Sequence, residues 1–319
     1  MVDAAIKVEG LERTYESGLK AVDGVALEVD EGEIYGFLGP NGAGKSTTVR
    51  MLTTLLRPTG GRARVIGYDV VKDAAEVRRQ IGVALQEAAL DPLMTGRELL
   101  ELQGALHGLS RQRSRDRSDD LLGRVDLQDA AGRRLATYSG GMRRRLDLAM
   151  ALVHSPRVLF LDEPTTGLDP ASRATLWQEV RQLNEEGTTV FLTTQYLEEA
   201  EQLADRVGII DHGRIVAEGT PAELKARIGE PSLHVQVADS ARESEAHRLL
   251  QSLGACNVHS ERGIVLRTPE GARAIAPVVR LLDEAGIEVE AVEIEQPSLD
   301  DVFLAVTGHL AEDPEADEK

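Results

Sequence analysis

The nine residues Gly39-Pro40-Asn41-Gly42-Ala43-Gly44-Lys45-Ser46-Thr47 restrict what this chain can fold into more than any other stretch of it. They fit the pattern G-x-x-x-x-G-K-[ST], and they lie between an apolar run, Ile34–Leu38, that reads as a strand and a following segment that reads as a helix. In that context the glycines let the backbone wrap a phosphate chain. Loop N–H groups and the helix N-terminus then face the anion, and Lys45 adds positive charge at the β- and γ-phosphates. All nine residues are expected to bind nucleotide, with the Ser46 hydroxyl on Mg²⁺.

A second run, Val158-Leu-Phe-Leu-Asp162-Glu163-Pro164, is an apolar strand that ends in two carboxylates. A strand buried on both faces reads as continuous hydrophobicity, and open α/β sheets bind ligands at the carboxyl ends of their strands. Asp162 is therefore expected to hold Mg²⁺ through water, and Glu163 to polarise an attacking water. Between the two signals lies Tyr138-Ser139-Gly140-Gly141-Met142, followed by a helix-like run. A Ser and two glycines opening a helix form a further anion site, although the same residues also make an ordinary N-cap.

Taken in order, these segments resemble the ABC ATPase family over roughly residues 5–220. The resemblance implies a fold with a largely parallel sheet core, an antiparallel part and a helical subdomain at about 88–152, inside an ATPase domain spanning 1–225. It implies that Tyr15 stacks on adenine, that Gln86 reaches both Mg²⁺ and water, and that Gly167–Pro170 forms the segment following the carboxylates. It further implies ATP and Mg²⁺ as cofactors and a homodimer formed on ATP binding. In that dimer Ser139, Gly140 and Gly141 of one subunit close the phosphate site of the other.

One position departs from the general pattern. Where most of the family has a His on the γ-phosphate, this chain reads Thr193-Thr194-Gln195-Tyr196. A Gln amide donates a hydrogen bond but neither charges nor moves a proton near neutral pH. Slower turnover is expected, and Gln195→His should raise the ATPase rate; an unchanged rate would count against this role. The same Gln-bearing segment, with Thr95–Glu98 and Gln296–Leu304, resembles the daunorubicin/doxorubicin-resistance branch of ABC exporter subunits. That resemblance implies efflux of hydrophobic drug-like compounds through a separate transmembrane permease, with the chain attached peripherally to the cytoplasmic face of the cell membrane. Other cargo, lipid or polysaccharide, and a soluble non-transport ATPase remain alternatives at this point.

Beyond Pro231 the pattern becomes strand Leu233–Ala238, helix Ala241–Leu253, strands near Asn257–Ser260 and at Gly263–Arg267, helix Gly271–Ala285 and strand Glu288–Glu293. This β-α-β-β-α-β order is that of a small α+β ferredoxin-like domain, expected over 231–310 with an acidic tail at 311–319. Ser298 is placed to cap a helix whose Leu299, Val302, Phe303 and Val306 share one face. The formal charge is −18, and residues 231–319 hold 18 Asp and Glu against 7 Lys and Arg. Phosphate-backbone affinity needs clustered cations, so no nucleic-acid partner is expected. No run approaches the roughly 18 apolar residues of a membrane span, and the single Cys256 excludes an intrachain disulfide.

Overall fold

The computed structural model describes residues 4–85, 91–229, 231–259, 263–295 and 297–308. Two compact units divide it, the first ending at Pro221 and the second running over Ala222–Gly308.

The first unit opens with β1 (Ala4–Thr14) and β2 (Lys20–Asp30), an antiparallel pair in which alternation buries Ile6, Val8, Val25, Leu27 and Val29. Then come β3 (Ile34–Leu38), α1 (Lys45–Leu52), β4 (Gly60–Val65), β5 (Tyr68–Asp69), α2 (Ala74–Gln80) and β6 (Ile81–Ala84). A helical stretch follows: α3 (Gly96–Leu106), α4 (Arg111–Arg124) and α5 (Gly140–Ala151). The chain returns through β7 (Val158–Asp162), α6 (Pro170–Glu185), β8 (Thr189–Thr194), α7 (Leu197–Leu203), β9 (Arg206–Asp211) and β10 (Arg214–Gly219).

Two sheets result. The smaller is antiparallel, in the order β2-β1-β4-β5. The larger runs β10-β9-β3-β8-β7-β6, with β9, β3, β8, β7 and β6 mutually parallel and β10 antiparallel at the edge. Every residue of β3, β7 and β8 is buried, as the continuous apolar runs of central parallel strands require. Phe191 on β8 is the hub of this layer, with its ring centroid 5.5 Å from those of Tyr35 and Phe37 and 5.6 Å from that of Phe160. Each such aromatic contact adds about 0.5–1.5 kcal/mol beyond the area it buries.

The charged stretch at 111–120 is helical. Ser110 caps α4, and Ser114, Ser118, Leu121 and Leu122 form its buried side while Arg111, Arg113 and Arg115 face solvent. A capping box at the start of α3, in which Thr95 and Glu98 each accept from the other's N–H, stops that helix from fraying.

The second unit contains α8 (Pro221–Ile228) from its second residue on, then β11 (Ser232–Val237), α9 (Glu243–Leu250), β12 (Ala255–His259), β13 (Gly263–Arg267), α10 (Ile275–Glu284), β14 (Val289–Glu295) and α11 (Leu299–Thr307). Its strands lie in the order β12-β13-β11-β14 with every pair antiparallel, which is the ferredoxin-like arrangement expected from the β-α-β-β-α-β pattern. Leu233, Val235, Ile264 and Leu266 from the sheet pack on Ala246, Leu250, Val278 and Leu282 from α9 and α10. Ser298 caps α11 through the N–H of Asp301, and Leu299, Val302 and Phe303 are buried. Cys256 is half-buried, and burial pushes its thiol pKa up.

Candidate nucleotide-binding site

Because β3, β6, β7 and β8 are parallel, they all finish on one edge of the sheet. The phosphate loop follows β3, Asp162 ends β7, and Thr193 and Thr194 end β8, which lies between those two strands. Register brings them level: Phe37 pairs with Thr193, and Thr193 with Asp162. Residues far apart in the chain thus converge where open α/β sheets bind ligands.

The loop's shape depends on two glycines. A Cβ on Gly39 would lie 2.4 Å from the Ile210 carbonyl oxygen. Gly44 has φ 111°, and a Cβ there would lie 2.5 Å from the Ala21 carbonyl oxygen. Gly44 is also the N-cap of α1, so no side chain caps this helix, and its first turn holds no acidic residue. The helix therefore presents its first N–H groups and its positive dipole end to an anion. Lys45 folds back along the loop, donating to the carbonyls of Gly39 (2.6 Å) and Pro40 (3.1 Å), and its Nζ lies 3.3 Å from Glu163 Oε1. This pair is almost wholly buried, at 3% and 7% side-chain exposure.

Beside it, Ser46 Oγ donates to Asp162 Oδ1 at 3.2 Å, and Thr193 Oγ1 donates to the same oxygen at 2.5 Å. Glu163 has φ 48°, a left-handed conformation that costs a non-glycine residue about 1–3 kcal/mol. Neighbouring groups hold it there. Its N–H donates to both the carbonyl and the hydroxyl of Thr193, each at 3.1 Å, and its own carbonyl accepts from Arg144 Nη2 at 2.9 Å. Strain of this kind concentrates where a side chain must point away from the strand's own course.

Tyr15 stands just after β1 with its hydroxyl 3.5 Å from Thr47 Oγ1, and Arg13 lies 4.9 Å from its ring centroid. The residue is only partly buried. Ser139 is the N-cap of α5, accepting from the Met142 N–H at 3.2 Å; it and Gly140 are exposed. Gly140 and Glu163 both line a cavity of about 440 Å³ together with Arg143, Arg144, Asp147 and Thr166–Leu168. Asp169 caps α6, with Pro170 at its first position. Gln195 carries a side-chain carbonyl oxygen that is buried without a hydrogen-bond partner. Gln86 lies outside the described residues; Leu85 before it is described.

Three contributors escaped the sequence reading. The hydroxyl of Thr193 joins the two carboxylate-bearing residues, and its signal was a strand ending in two threonines next to β7. Trp177 on α6 donates to the buried Glu199 of α7 at 3.1 Å. Arg144 is one of three successive arginines, and nothing in the sequence singles out the middle one.

A glycine-shaped loop at an uncapped helix, a hydrogen-bonded Ser–Asp pair and a buried Lys–Glu pair, all on the carboxyl edge of one parallel sheet, match the pattern of a nucleoside-triphosphate hydrolase. With the antiparallel sheet and the helical stretch added, they define an ATP-binding cassette. The ABC transporter family profile matches residues 22–166, and that of the ATP-binding protein DrrA1-3-like C-terminal domain matches 219–307. The daunorubicin resistance ATP-binding protein DrrA3 of Streptomyces coeruleorubidus is 51% identical over 308 residues, 97% of each chain. The daunorubicin/doxorubicin resistance ATP-binding protein DrrA of Streptomyces peucetius is 49% identical, covering 98% of this chain and 96% of its own. A dimeric post-hydrolysis structure of the ATP-binding cassette MJ0796 bound to ADP and Pi superposes with TM-score 0.63 at 29% identity, over 67% of this chain and 98% of that one. The chain belongs to the DrrA-type ATP-binding proteins of the ABC transporter family. It is an ATP-hydrolysing subunit of a transporter, and among the described residues no helix is long and apolar enough to cross a membrane.

Proposed function

We propose that this chain powers export of hydrophobic drug-like compounds through a separately encoded permease, working as a homodimer at the cytoplasmic face of the membrane. The likeness to daunorubicin-resistance proteins supports this cargo class because it runs through both units and not through the cassette alone. The buried Lys45–Glu163 pair beside Ser46 and Asp162 carries the hydrolytic part of the reading.

In this reading Tyr15 stacks on adenine, and the loop from Gly39 to Thr47 takes the phosphates. Lys45 exchanges its carbonyl partners for phosphate oxygens, and Glu163 accepts the proton of the attacking water. A hydroxyl and a carboxylate 3.2 Å apart are the hard oxygen donors that Mg²⁺ prefers, so Ser46 and Asp162, with Gln86, would hold that ion. When bound, it neutralises charge on the phosphates. Gln195 would donate its amide to the γ-phosphate. The Ser139–Gly141 segment of a second copy, exposed at Ser139 and Gly140, would close the site from outside, so that ATP joins the two subunits. The permease would meet the groove of about 360 Å³ that Leu55, Ile81, Val83, Leu85 and Met150 line together with Arg78, Gln103, His107, Asp147 and His154.

Affinity capture of tagged Glu163→Gln protein from native membranes with ATP and Mg²⁺ tests this. ATP-dependent recovery of a polytopic membrane protein is the expected result. Recovery of soluble partners alone would overturn the exporter reading while leaving ATP hydrolysis intact.

A further inference from the structure

We propose that Arg144 is a positioning residue for hydrolysis, holding the ends of β6 and β7 together and thereby fixing the backbone that carries Glu163, with Asp147 as its counter-charge. The inference rests on the reading of Glu163 as the base. From the second turn of α5, Arg144 directs all three guanidinium nitrogens at main-chain carbonyls. Nε donates to Pro164 (2.9 Å), Nη1 to Leu85 (2.7 Å), and Nη2 to Asp162 (2.7 Å) and Glu163 (2.9 Å). Three of these oxygens are consecutive and bracket Glu163. The fourth belongs to the residue before Gln86.

Two observations make this more than packing. Glu163 is in a left-handed conformation and precedes a proline, so the next residue offers no N–H to hold the turn. Its N–H is held by Thr193 and its carbonyl by Arg144, and removing either frees a strained residue to relax. The second observation is burial. Arg144 and Asp147 are both about nine-tenths buried, with 3.5 Å between Nη1 and Oδ2, and desolvation lowers the guanidinium pKa while raising that of Asp147 to about 6. A planar fork holds several oxygens in fixed directions, which an ammonium group on a rotating stem does not do. Because Ser139 is the N-cap of α5, this one side chain also links the helix that Ser139–Gly141 opens to the turn after β7 that carries Glu163.

The test compares full-length parent, Arg144→Lys, Arg144→Gln and Glu163→Gln for kcat and KM with ATP and Mg²⁺, for equilibrium binding of a fluorescent ATP analogue, and for thermal melting. Misplacement of a reacting group by about 1 Å costs ~10²-fold, so both Arg144 variants should lose roughly 10- to 100-fold in kcat. KM and analogue affinity should stay within about threefold, because binding and chemistry separate in this way when only the transition state is affected. Lys should not rescue Gln. A kcat within about twofold of the parent in folded Arg144→Lys protein, with Glu163→Gln inactive, overturns the proposal. An active Glu163→Gln protein would instead overturn the base assignment. If neither Arg144 variant folds, Asp147→Asn decides: a loss of at least about threefold in kcat with unchanged affinity supports the clamp, and an unchanged kcat rejects it.

Discussion

Glu163→Gln is expected to lower the rate of ATP hydrolysis by about 10²–10⁴-fold while nucleotide binding persists, since that is the usual contribution of a positioned general base. The amide has nearly the shape of the carboxylate, and the Thr193 and Arg144 bonds that hold residue 163 are made by its backbone, so the turn survives the exchange. What is lost is a group able to accept a proton. The ion pair with Lys45 is lost too, but bound phosphates replace that negative charge. Single-turnover phosphate release, with size-exclusion chromatography in ATP, measures both halves. Hydrolysis at the parent rate would assign the base elsewhere; loss of binding as well as hydrolysis would make Glu163 structural.

Lys45→Ala is expected to weaken ATP binding by about 10²-fold or more. A hydrogen bond to a charged group is worth about 1.5–3 kcal/mol, and each ~1.4 kcal/mol is tenfold in affinity. A second effect has the same sign. Lys45 lies 3.3 Å from Glu163 and both are buried, so its removal takes the positive charge away from beside that carboxylate. Breaking a buried pair from one side destabilises by about 3–5 kcal/mol, so the melting temperature should fall in the same variant. Calorimetric titration with ATP, read beside thermal melting, separates the two. Unchanged affinity would remove Lys45 from the phosphate site.

Much of the fold was legible because its strands are chemically extreme. The apolar run Ile34–Leu38 is β3 to the residue, and Gly263–Arg267 is β13 to the residue. Elements with amphipathic or polar ends were read less well. The helix expected over Ala241–Leu253 is α9 at Glu243–Leu250, flanked by a tight turn of 3₁₀ helix at Ser240–Arg242. Likewise Gly271–Ala285 divides into 3₁₀ helix and α10. Local hydrogen bonding at helix ends decides such details, and apolar periodicity does not report it.

The sequence by itself determined the chemistry available: a glycine-rich loop before Lys45, Ser46 and Thr47, two carboxylates at the end of a buried strand, a Ser-Gly-Gly helix start and a glutamine at position 195. These are local patterns, and a strand, a turn or a cap is chosen within a few residues. Tertiary structure alone decided which groups meet. Parallel pairing placed β8 between β3 and β7, so that Thr193 bridges to Asp162 and holds the Glu163 N–H, and it brought Lys45 to 3.3 Å from a carboxylate 118 positions later. The same packing aimed Arg144, rather than the arginine on either side of it, at four carbonyls, because only that side of α5 faces the ends of β6 and β7. Distances across a sheet depend on strand order, and strand order is a property of the whole fold that no local run of residues contains.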